Sequence, residues 1–139
     1  MNLKIKKLNE DAKVPSFAHS FDAGMDLYSC EDIKINPNEA VKVKTGIAME
    51  IPEGYVGLIW DKSSVGSKGI KTMGGVIDSH YRGEVMVLIK NLSDMEYFFE
   101  KGDKVAQMLI QKVEHFEIEE VDELSSTVRG EGGFGSTGK

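Results

Sequence analysis

The chain of 139 residues holds one cysteine, Cys30, which excludes an intrachain disulfide and a thiolate metal cluster. No apolar run is long enough to span a bilayer. The opening "MNLKIKKLNEDAK" alternates charge with aliphatics and lacks the hydrophobic stretch of a secretory leader. Basic residues are in deficit, 17 Lys and Arg against 23 Asp and Glu, for a formal charge of −6. With no basic stripe to offset that balance, general affinity for nucleic acid is excluded. No window of a dozen residues shows a clean apolar stripe at helical spacing. These absences predict a cytoplasmic, largely non-helical protein with no membrane or nucleic-acid partner.

What is present is period-2 alternation. "LKIKKL" (3–8), "IKIN" (33–36) and "VKVKTGIAMEI" (41–51) set Val or Ile on one face and Lys on the other, the mark of strands with one wet face. "YVGLIW" (55–60), "EVMVLIKNL" (84–92), "KVAQMLIQKV" (104–113) and "HFEIEEV" (115–121) continue the pattern. Turn signals stand at "NPNE" (36–39), "PEG" (52–54) and "EKGD" (100–103), and a short helical turn is expected near 63–68. Many short strands between turns predict an all-β sandwich, jelly roll or barrel. The pattern stops after Val121, so the expected division is an ordered domain over 1–121 and a glycine-rich arm over 122–139. That arm ends "RGEGGFGSTGK", where glycine contributes no packing and loses most entropy on ordering. It is either a frayed tail or a segment that orders around a ligand.

Five stretches hold chemistry, and each has a plain structural reading too. "GGVIDSHYRGEV" (74–85) is either a hairpin whose Asp78 caps its own turn or a carboxylate poised to take a proton from water, with Tyr81 as a flat face for a ligand. "DKSSVGSKG" (61–69) is a polar loop or a phosphate cradle of a cation, hydroxyls and backbone amides. Gln107 lies in an apolar strand, where it either faces outward or needs buried partners. Asp26, in "DAGMDLYS" (22–29), is either solvated or a buried acid paired with a cation. "GFGSTGK" (133–139) mimics the start of a phosphate-binding P-loop, but no hydroxyl residue or helix follows Lys139, so that assignment fails. Glycine amides and Arg129 remain able to wrap an oxyanion, and Phe134 to stack on a ring. His19, His80 and His115 have no second ligand at metal spacing, which argues against zinc.

Taken in order, these stretches resemble the five motifs of the homotrimeric dUTP pyrophosphatases, the dUTPase family: "AGMDL" (23–27), "DKSSVG" (61–66), "GGVIDSHYRGE" (74–84), "GDKVAQMLI" (102–110) and "RGEGGFGSTG" (129–138). The resemblance spans nearly the whole chain. It implies a jelly-roll-like β-barrel assembled as a homotrimer with active sites shared between subunits. It implies hydrolysis of dUTP to dUMP and diphosphate by water attack on the α-phosphorus. Mg²⁺ would be held by phosphates and waters, with no direct protein ligand. Carried over by position, Asp78 would activate the water. Gly75, Val76 and Ile77 would read the nucleoside through backbone groups, and Tyr81 would lie under the deoxyribose and exclude UTP. Lys62, Ser63, Ser64, Gln107, Arg129, Gly135 and Ser136 would contact phosphates. Asp26 would stand near the metal's waters, and Phe134 would close over the uracil.

Two features depart from the common family pattern. Lys62 stands where arginine is usual and cannot form a bidentate fork, and the stretch between the second and third motifs is a few residues short. Some retroviral members share both features. A sister family, the dCTP deaminases, carries a proton-shuttling glutamate that falls at Leu88 here, and leucine cannot shuttle protons. A non-catalytic nucleotide-binding regulatory trimer uses the same groups as the enzyme. A jelly-roll lectin or capsid unit leaves the arm unexplained. The roles of Arg82 and His80 stay open at this point.

Overall fold

The computed structural model describes residues 1–138. Eleven strands and one helical turn make up the regular structure among them. The strands are β1 (Lys4–Lys7), β2 (Met25–Tyr28), β3 (Ile33–Ile35), β4 (Ala40–Lys44), β5 (Ile47–Glu50), β6 (Tyr55–Trp60), β7 (Ile70–Met73), β8 (Val76–Ile77), β9 (Met86–Asn91), β10 (Tyr97–Phe99) and β11 (Lys104–Lys112); α1 (Ser63–Gly66) is the expected short turn. Pairing is antiparallel throughout, and three pairs are nested: β2 with β11, β3 with β10, β4 with β9. The chain therefore behaves as one double-stranded ribbon rolled on itself, a jelly-roll arrangement, one of the three the alternation allowed and the one the family resemblance implied. β6 and β8 extend the β2–β11 sheet, β7 flanks β9, and β1 pairs with β5.

Strands form where alternation supplies one apolar face. In β9, Val87, Ile89 and Asn91 point inward, and Met86, Leu88 and Lys90 are half-buried. Leu27, Ile35, Val43, Ile70, Val105 and Met108 meet them in one core. Asn91 is fully buried and fully satisfied. Its amide donates to the Ile35 and Met95 carbonyls at 3.0 and 2.7 Å, and its oxygen accepts from the Ser93 amide and hydroxyl. A buried amide so bonded fixes the ends of three segments without a desolvation cost.

Two readings of the alternation need correction. The run 41–51 is two strands, not one, because Gly46 takes φ 68° and turns the chain between β4 and β5. The run 115–121 forms no strand: β11 ends at Lys112, and Phe116 and Ile118 stand exposed. Alternation makes a strand only where an edge is offered for pairing, and this segment pairs with none among the described residues.

Candidate active site

β11 carries a bulge. Lys104 opposes Tyr28 and Ala106 opposes Leu27, so Val105 is the extra residue. The bulge shifts the register by one and sets Gln107 directly opposite Asp26, with Trp60 of β6 on its other side. Asp26, Gln107 and Trp60 therefore form one row across three strands. The chain leaves that row through Asp61 and Lys62 into α1, which carries Ser63 and Ser64 on the exposed side.

Gln107 is half-buried rather than outward-facing, and its amide donates to the Asp61 carbonyl at 2.9 Å. Gly24 makes room for it, since a Cβ there would stand 2.4 Å from the Gln107 Oε1. Asp26 is only 4% exposed, the buried, paired alternative of the two that its sequence allowed. Lys62 Nζ donates to its Oδ1 at 3.0 Å, and Lys104 Nζ stands 2.8 Å from Oδ2. The second contact is an ion pair without hydrogen-bond alignment, which is why Oδ2 has no hydrogen-bonding partner. Burial pushes the Asp26 carboxyl up, but Lys104 and Lys62 together carry it below its ordinary value. Lys104 was not foreseen as a site residue; the signal available was its place in "GDKVAQ".

Asp61 braces this corner. Its carboxylate accepts from the Thr72 amide and hydroxyl, both at 2.7 Å, and from Lys71. Desolvation opposes ionisation, and Lys71 and Thr72 outweigh it to hold the carboxyl low. The brace ties the exit of β6 to β7 and so fixes where Lys62 begins.

β8, Gly75 before it and the hairpin-like turn after it hold the second group of predicted residues; β8 pairs with β6 and not with β9, so the expected β-hairpin is a turn between two sheets. Gly75 has φ 98° and lies so close to Ile59 that a Cβ would come within 3.0 Å of its carbonyl oxygen. Only glycine fits both demands. Beyond it, Asp78 is exposed, and among the described residues no donor is bonded to its carboxylate. The turn closes through the backbone, Tyr81 N–H to Asp78 C=O at 3.1 Å, and not through an Asx bond. Arg82 donates to the Ser79 and Tyr81 carbonyls, so it clasps the turn from within. His80 lies 2.9 Å from Glu53, both on the surface. Gly75, Val76, Ile77, Asp78 and Tyr81 line a cavity of about 350 Å³ together with Lys42, Glu84, Met86 and Leu88. That volume suits a nucleoside. The aliphatic Leu88 stands in its wall.

The two groups do not meet within one chain. Ile77 opposes Gly57, so Asp78 lies beside Val56. Trp60 is four residues, roughly 13 Å, further along β6, and Lys62 is two residues beyond that. The arm joins neither. Among the described residues, Arg129 donates only to the nearby Gly132 carbonyl, and the amide bonds found for residues 130–138 close within the arm. Phe134 is fully exposed, and Gly135 and Ser136 are exposed beside it.

A family model described as dUTPase matches residues 10–138. The chain belongs to the dUTPase family. The deoxyuridine 5'-triphosphate nucleotidohydrolase of Clostridioides difficile is 46% identical over 140 residues, covering 99% of this chain and 98% of that protein. That of Hydrogenobaculum sp. (strain Y04AAS1) is 48% identical over 142 residues, covering 99% of each. Among solved structures, a mutant dUTPase of Staphylococcus bacteriophage 80alpha with dUpNHpp aligns at TM-score 0.94 and 34% identity, covering 99% of each chain. A dUTPase from phage phi11 of S. aureus, described with a structural Mg(II) ion, aligns at TM-score 0.82 and 33% identity over 88% of this chain and 98% of that one. The two groups of candidate residues stand toward opposite ends of β6. No helix among the described residues is long and apolar enough to cross a membrane.

Proposed function

We propose that the chain is a dUTP diphosphatase that hydrolyses dUTP to dUMP and diphosphate, with the site completed by further copies of itself. The observation that carries the mechanism is the unpartnered Asp78 carboxylate at the wall of a nucleoside-sized cavity shared with Tyr81. A free carboxylate there accepts a proton from a water as that water attacks the α-phosphorus. Backbone groups of Gly75, Val76 and Ile77 hold the uracil, and the Tyr81 ring lies under the deoxyribose. Lys62, Ser63, Ser64 and Gln107 hold the triphosphate from the other half-site. Their positive and N–H groups stabilise the charge that builds on the phosphoryl oxygens and on the departing diphosphate.

Mg²⁺, when bound with the triphosphate, supplies further charge neutralisation. The donor set fits that mode of binding. Among the described residues no three His, Cys, Asp or Glu side chains converge to cage a cation, and both Asp26 oxygens are already engaged by lysines. Asp26 is left to hold Lys62 in place, and through it the phosphates beside the metal. Arg129, Gly135 and Ser136 grip the phosphates as the arm closes, and Phe134 covers the base. That closure expels water once the right ligand is present. The arm's lack of bonds to the barrel supports this reading, since an arm committed to the barrel would not be free to close.

The separation along β6 supports a trimer with shared sites. A substrate that must touch Asp78 and Lys62 together needs the hairpin of one subunit against the lysine corner of another. The unpaired alternation at 115–121 is a second support, because its apolar face requires a neighbour. Leu88 weighs against deamination.

Product analysis tests the reading: dUTP, dCTP, dTTP and UTP with Mg²⁺, scoring diphosphate and ammonia separately, with Asp78→Asn as control. Diphosphate from dUTP alone, lost in the control, is the expected result. Ammonia from dCTP would overturn the argument from Leu88, and dUTP binding without turnover would make the chain a nucleotide sensor.

A further inference from the structure

Gly83 has no backbone reason to be glycine. Its φ lies outside the left-handed region, so any residue is tolerated there conformationally. What it lacks is space. A Cβ at position 83 would stand 2.5 Å from the Tyr81 Oη, 2.6 Å from its Cζ and 3.0 Å from its Cε2. The ring is folded back over residue 83, and its hydroxyl donates to the Glu84 carbonyl at 2.8 Å. The phenol is therefore held by its own hairpin: from beneath by a missing side chain and at its tip by a backbone oxygen.

We propose that Gly83 is a positioning residue for sugar selection, its bare Cα being the slot in which the Tyr81 ring lies while tied to Glu84. The inference rests on the reading of Tyr81 as the platform under the deoxyribose. Exclusion of a ribose depends on where that platform stands, because a 2′-hydroxyl is rejected by contact with a ring face that cannot retreat. The Glu84 bond stops the ring from retreating, and Gly83 permits the bond. The three atoms nearest an added methyl all belong to the far end of the Tyr81 side chain, which has two torsions, so the ring is what moves. The consequence falls on specificity rather than on the fold.

The test measures kcat/KM for dUTP and UTP in wild type, Gly83→Ala, Tyr81→Phe, Tyr81→Ala and the Gly83→Ala/Tyr81→Ala double variant, with thermal unfolding of each. The expected result is that Gly83→Ala raises the UTP to dUTP ratio by about tenfold or more. Tyr81→Phe, which keeps the ring and loses the tie, should raise it less. In the Tyr81→Ala background the glycine substitution should change nothing further, since the group it displaces is gone. A Gly83→Ala enzyme that still excludes UTP while Tyr81→Ala admits it overturns the inference and leaves the Tyr81 reading standing. Exclusion of UTP by Tyr81→Ala overturns the reading itself. Equal effects of Gly83→Ala with and without the ring overturn the proposed route. If Gly83→Ala alone does not fold, rescue of folding by Tyr81→Ala is required, and its failure overturns the inference.

Discussion

Asp26 and Asp78 are aspartates of opposite kinds, and substitution should separate them. Asp26 is buried between Lys62 and Lys104, and its carboxyl is held below its ordinary value against the cost of burial. A lowered folded pKa means that the unfolded chain binds the proton more readily. The stability this group contributes is present above the unfolded value of about 4 and is lost as pH falls through the lower folded value. Asp61, also lowered, adds to the same window. Urea unfolding should show stability falling below about pH 4. Asp26→Asn should lose roughly 1–2 kcal/mol at neutral pH and show a flatter acid limb; the loss is smaller than for a sealed pair because Lys104 is 42% exposed. An acid limb of unchanged steepness would show that the pair contributes nothing. Among the described residues the Asp78 carboxylate has no partner to lose, so Asp78→Asn should leave the unfolding free energy within about 0.5 kcal/mol of wild type. Its kcat should fall by about 10²–10⁴ while binding of a non-hydrolysable dUTP analogue is kept. A stability loss in Asp78→Asn, or retained turnover, would undo the contrast.

The elements are legible in the sequence to different degrees, for physical reasons. β6, β9 and β11 follow from alternation alone, because each has one face on the core and the pattern records that burial. β7 and β10 are not among the stretches read from the alternation, and they form against partners elsewhere in the chain, β9 and β3 respectively. The bulge at Val105 is invisible in "KVAQML", yet it decides which residue faces Asp26. Alternation alone let Gln107 point outward, and the shifted register brings it to the Asp61 carbonyl. The candidate residues can nevertheless be named, because motif order needs no register. Lys104 and the Asp61 brace were missed, since their roles exist only after β2, β6, β7 and β11 meet. The brace yields a prediction of its own. Asp61→Ala strands the Thr72 amide and hydroxyl and frees Lys71, and should lower stability by about 1–3 kcal/mol. By loosening the corner from which Lys62 departs, it should also raise KM for dUTP more than it lowers kcat. Unchanged KM in a folded Asp61→Ala protein would show that β7 does not position the phosphate corner.

For the whole molecule the decisive fact is the length of β6. Hairpin and lysine corner sit at opposite ends of one strand, so in the proposed arrangement each chain contributes to two different sites. In the proposed trimer, association would be head-to-tail, with the contacts closing into a ring rather than a filament. The arrangement can be tested by mixing defective subunits. Asp78→Asn removes the base from one half. Ser64→Glu places a carboxylate where the triphosphate must lie, on an exposed residue whose side chain makes no hydrogen bond among the described residues. Each homo-oligomer should be inactive. In trimers refolded from an equal mixture, a site is intact when its hairpin comes from a Ser64→Glu chain and its lysine corner from an Asp78→Asn chain. Random assembly gives each condition a probability of one half, so about a quarter of wild-type activity should return. The arm is wild type in both variants and does not limit the recovery. If every chain used its own Asp78 and its own Ser64, no mixing ratio would restore turnover, because no site would ever hold both intact groups. Recovery that rises and falls with the ratio, with its maximum at equal amounts, is the signature that only sharing between subunits produces.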